Sequence, residues 1–192
     1  SVKINPAKTL LGEEMQTIFK WGVIVGAVMT IFMFGSYFVV AGNQAQNMGI
    51  AEVTGYVGMI AALAIILFAM HKQFDERADK QSLWQSIIFG VGITVIAGKI
   101  FALCDVIYTF MINPGFMDAY FEYYLSTLPV QEGQEYERMV EEAMAQREMF
   151  AQPIMVFLVM AATVWMIGLV VSVLGGLGHY FWTKSKMNNQ AM

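Results

Sequence analysis

Charge is scarce in this sequence. Asp, Glu, Lys and Arg make up only 14% of its 192 residues, where an ordinary soluble domain carries about a quarter. With 57% of the chain hydrophobic, polar surface is too limited to clothe a water-soluble fold, and lipid has to solvate part of it. Positive charge is the scarcer sign: 11 Lys and Arg against 15 Asp and Glu leave a net charge of −4, which removes the electrostatic basis for a nucleic-acid partner. Cysteine occurs once, at Cys104 inside an apolar stretch, so no internal disulfide forms. Of the two histidines, His71 stands four residues before Asp75 and next to no second His or Cys, so no metal site is expected there. His179 reads as an interfacial residue. No Ser or Cys occupies a nucleophile elbow, and no glycine run matches a Walker or dinucleotide fingerprint. Catalytic, cofactor-binding and metal residues are therefore left unassigned, no cofactor is needed, and a non-enzymatic protein is expected. A cleavable signal peptide is not expected either, because no small-residue cleavage site follows the first apolar stretch.

What the chain does have is four apolar stretches of about 18–30 residues, where a helix needs about 20 to cross the hydrocarbon. They run over 18–41, 53–70, 87–112 and 153–182. The expected fold is all-α: an integral membrane four-helix bundle with a helical extramembrane insertion between spans three and four. The chain divides into a polar segment 1–17, spans one to three within 18–112, a helical loop 113–152, span four within 153–183 and a tail 184–192. Asn113-Pro114-Gly115 breaks the third span, since proline cannot extend the helical hydrogen-bond ladder. In the insertion, FMDAYFEYYLSTL and EYERMVEEAMAQREMF read as two helices around the loop LPVQEGQ. The second places Tyr136, Met139, Val140, Ala143, Met144 and Phe150 at helical spacing. A short interfacial helix is expected to lead into span one. Lys and Arg gather in the N-terminal segment, the 71–83 loop and the C-terminal tail, and are absent from 42–52. This bias places both termini and the 71–83 loop in the cytoplasm and the acidic insertion outside.

Small residues repeat at spacing four. Gly22 and Gly26 do so in span one, and Gly168, Ser172 and Gly176 in span four, a pattern that lets helix backbones approach closely. The most informative stretch is span three, which carries Lys99 near its middle and Asp105 further along. Charges at that depth usually have a partner or a task. These two are the candidate intramembrane site, yet six residues of helix leave them about 120° apart around the axis and about 9 Å apart along it, so they do not meet directly. Lys99 has four options: to snorkel with hydroxyl help from Thr30, Thr94 or Ser172, to be neutral, to pair with Asp105 of a second copy, or to meet a carboxylate on another protein.

The segments WGVIVGAV, HKQFDE, SLWQSIIFGVGITVIAG and FMINPGFMDAYFE, in that order, resemble an uncharacterised four-span bacterial inner-membrane family found in Bacteroidota, of DUF4199 type. The similarity covers roughly residues 18–185. The resemblance implies a fold and carries over no site residues; members more often have Asp before the proline, where this chain has Asn113. The leading expectation is a non-enzymatic accessory or scaffolding subunit that contacts membrane lipid and either a second copy or a membrane protein partner. One alternative is a small ion- or proton-coupled transporter using Lys99 and Asp105. Another, implied by genes that neighbour some members, is an accessory subunit of a membrane glycosyltransferase acting on lipid-linked sugars. There Lys72, Arg77, Lys80, Lys184 and Lys186 would hold a lipid phosphate, although such residues equally set topology.

Overall fold

The computed structural model describes residues 6–39, 48–75 and 82–190; the polar loops at 40–47 and 76–81, with Arg77 and Lys80, lie outside them. Among the described residues the protein is all-α, with no strand. The described residues form six α-helices: α1 (Pro6–Val39), α2 (Met48–Asp75), α3 (Leu83–Ile107), α4 (Phe116–Ser126), α5 (Gln134–Phe150) and α6 (Pro153–Gln190). Four of them, α1, α2, α3 and α6, are long and apolar enough to cross a membrane, over Gly12–Gly35, Val53–Gln73, Leu83–Ile112 and Pro153–Trp182. This is a multi-pass membrane bundle with a two-helix insertion.

Helix ends follow local chemistry. Pro6 and Pro153 each open a helix, where the missing N–H of proline is no loss. Ser82 caps α3: its hydroxyl accepts from the Gln85 N–H, and the Gln85 side chain accepts from the Ser82 N–H at 3.0 Å. This reciprocal cap is written in the sequence as SLWQ and starts the third helix a turn earlier than its apolar run implies. The expected interfacial helix before span one is not separate. α1 runs unbroken from Pro6, because an isolated Gly12 weakens a helix without ending it.

The spans form a ring. α3 packs most extensively on α6 and α1, α1 also packs on α2, and α2 reaches α6 to close the circuit. Buried residues make up 44% of the most apolar window of α3, against 22–28% in the other three spans, so α3 is the central element. In lipid, helices gain nothing from hiding apolar surface from one another, and close backbone approach matters more. At Gly22 and Gly26 a Cβ would stand 2.6 Å from Ile96 and 3.0 Å from Ile100 of α3. At Gly168 it would overlap the Thr94 side chain, and at Gly176 it would stand 2.9 Å from Ile87. Ser172 is fully buried, its hydroxyl donating to the Gly168 carbonyl at 2.6 Å. Gly98 clears the path for Trp165, whose indole N–H crosses from α6 to donate to the Val95 carbonyl at 3.3 Å.

Candidate functional site

The α4–α5 end of α3 gathers polar groups. α3 widens there into a single π-helical turn, Tyr108–Ile112, in which the Asn113 N–H donates to the Tyr108 carbonyl five residues back at 2.8 Å. Such single π turns inside α-helices are frequent at functional sites. The Asn113 amide also donates to the Tyr108 hydroxyl at 3.0 Å, and both residues are buried. The Tyr108 ring meets Phe34 of α1 and Phe116 of α4 edge-on, each with centroids 5.5 Å apart. One side chain therefore ties a span, the turn and the insertion together.

Asp105 lies one turn before this network and is buried, only 8% exposed. Among the described residues no hydrogen bond reaches its carboxylate. Lys99 faces the other way. It is exposed on an outward stripe of α3 with Ile88, Leu103 and Ile107, and among the described residues its ammonium has no ion-pair or hydrogen-bond partner. The two charges are thus not brought together. Hydroxyls expected to assist Lys99 are engaged elsewhere: Thr30, Thr94 and Ser172 each donate to the carbonyl four residues back in their own helix, and Thr94 and Ser172 are buried between α3 and α6.

Beside the π turn a cleft of about 480 Å³ opens between the end of α3, the start of α4 and the end of α5. Thr109, Phe110, Met117 and Met144 line it, and Asp118, Arg147 and Glu148 supply its charges. Arg147 donates through Nη2 to Asp118 Oδ1 across the antiparallel α4–α5 hairpin. Helical spacing alone gives these three residues no role. The signal for more was present: opposite charges in the first turn of one helix and the last turn of the next meet when a short loop folds the pair back.

At the opposite end, His71 of α2 and His179 of α6 meet with ring centroids 6.2 Å apart, and Trp182 lies 5.7 Å and 5.9 Å from them. These three form an aromatic cluster where α2 and α6 leave the membrane-spanning region, in keeping with an interfacial role for His179.

Four long apolar helices, the most buried of which, α3, carries one outward charge and one buried charge, define a multi-pass helical membrane protein. The chain belongs to the family described as protein of unknown function (DUF4199), whose model matches residues 20–177. Neither a curated protein nor a solved structure matches the chain.

Proposed function

We propose that this protein is a non-enzymatic subunit of a membrane assembly, seated in the inner membrane with both termini cytoplasmic and the insertion outside. The outward Lys99 carries the reading. It stands just past the middle of the 30-residue stretch Leu83–Ile112, so about 15 Å of hydrocarbon separates it from either surface. A four-carbon stem covers less than half of that distance. An ammonium left in that position on a lipid-facing stripe is costly, and a carboxylate from a neighbouring membrane protein relieves the cost. A second copy is the weaker candidate for that neighbour: Asp105 is buried within its own bundle, out of reach of Lys99 from another.

The test is co-purification from native membranes in mild detergent, with a photo-crosslinker at Leu103. Wild type and Lys99→Arg should recover a crosslinked membrane partner, and Lys99→Met should lose most of it. Recovery of an uncrosslinked monomer from wild type would overturn the proposal. Topology is tested separately in a Cys104→Ala background. Gln131→Cys should react with a membrane-impermeant maleimide from outside intact cells, and Met192→Cys should react only after permeabilisation.

A further inference from the structure

We propose that the cleft between the π turn, α4 and α5 binds the headgroup of a zwitterionic phospholipid bearing both a phosphate and a primary ammonium. The inference is independent of the Lys99 reading, because it concerns different residues at the end of the bundle.

Position comes first. Thr109 and Phe110 belong to the last turn of the span Leu83–Ile112, and α6 begins its own span at Pro153, two residues after the cleft-lining Ala151. The cleft therefore lies at the level where hydrocarbon gives way to headgroups. Its lining changes along the same direction. Phe110, Met117 and Met144 are apolar, and Asp118, Arg147 and Glu148 are charged. A phospholipid presents that gradient in the same order, from ester and upper acyl chain to headgroup. The volume of about 480 Å³ falls within the range of small-molecule sites.

Charge selects among headgroups. The cleft offers one guanidinium and two carboxylates. Arg147 uses one N–H toward Asp118, and a guanidinium has five, so a planar edge remains for phosphate oxygens. Asp118 keeps its second carboxylate oxygen, and Glu148 stands next in sequence to Arg147. A primary ammonium supplies three N–H donors to such carboxylates, whereas a trimethylammonium supplies none. A headgroup with phosphate alone would add a further negative charge to a cleft that sets one guanidinium against two carboxylates, within an insertion that already holds eight acidic and two basic residues over 116–152. Phosphatidylethanolamine chemistry fits on both counts; phosphatidylcholine fails on the donors and phosphatidylglycerol on the charge.

The proposal is tested with the full chain in nanodiscs of equal dioleoyl phosphatidylethanolamine, phosphatidylglycerol and phosphatidylcholine, followed by gentle release and native mass spectrometry of retained lipid. Wild type should retain the ethanolamine lipid preferentially. Arg147→Ala should lower that retention by about tenfold or more, the value of one hydrogen bond to a charged group. Asp118→Asn with Glu148→Gln should shift preference toward the glycerol lipid. Retention that follows mole fraction in wild type, or an ethanolamine preference that survives both variants, would overturn it. Wild type alone provides a second measurement: a diazirine-bearing phosphatidylethanolamine should label residues 144–151 or Phe110, and labelling confined to other surfaces would overturn it. Displacement of the bound lipid by soluble O-phosphoethanolamine would assign the site to a soluble ligand and overturn the lipid source.

Discussion

At position 168 a methyl group has nowhere to go. A Cβ there would overlap the Thr94 side chain, which is itself buried and hydrogen-bonded to Gly90. Gly168→Ala should therefore destabilise the bundle by about 1–3 kcal/mol, the usual cost of overpacking, read as a lower unfolding midpoint in detergent. Gly35→Ala is the matched control, since nothing lies within 4 Å of its added Cβ; it should leave the midpoint unchanged or raise it. Spacing alone identified the glycines at 22, 26, 168 and 176 as small-residue positions. The same signature, Gly90-Thr94-Gly98, lies in α3 and was masked there by the prominence of Lys99. Sequence located the two charges of α3 by depth and angular separation. It did not tell which of them faced inward, because that depends on where α1 and α6 pack.

Among the elements, the π turn and the α4–α5 hairpin are the most specific. Tyr108→Phe removes the hydroxyl that accepts from the buried Asn113 amide and should lower stability by about 1 kcal/mol. Faster hydrogen exchange should follow at the Asn113 amide, which closes the turn. Gly133 precedes α5 with φ +90°, a conformation that L side chains rarely adopt. Gly133→Ala should loosen the start of α5, measured as faster exchange over residues 134–138, with the four spans unaffected. The Asn-Pro-Gly breaker, both insertion helices and the Ser82 cap each have a composition that announces them. The π turn has none. It is one extra residue in a hydrogen-bond ladder, and it begins at Tyr108, whose ring lies between Phe34 and Phe116.

For the whole molecule, the exposed Arg147–Asp118 pair holds the insertion together only weakly. Asp118→Ala should change the unfolding free energy by less than about 1 kcal/mol, as expected of solvent-exposed ion pairs, measured by chemical denaturation in detergent. The number of spans and the class of fold were legible because hydrophobic length is a property of each segment alone. The order of helices around the ring was not: the spans are apolar on nearly every side, so no stripe on any of them names its neighbour. For the same reason the meeting of His71 with His179 was not visible in sequence. α6 has one more consequence. It runs 38 residues without interruption, about 57 Å, from the turn that ends α5 to a point about 12 Å beyond Trp182. The insertion is thus mounted directly on a stiff strut whose far end stands in the opposite compartment. Any rigid-body tilt of α6 would move the insertion and the far end of the helix together, because nothing interrupts the helix between them.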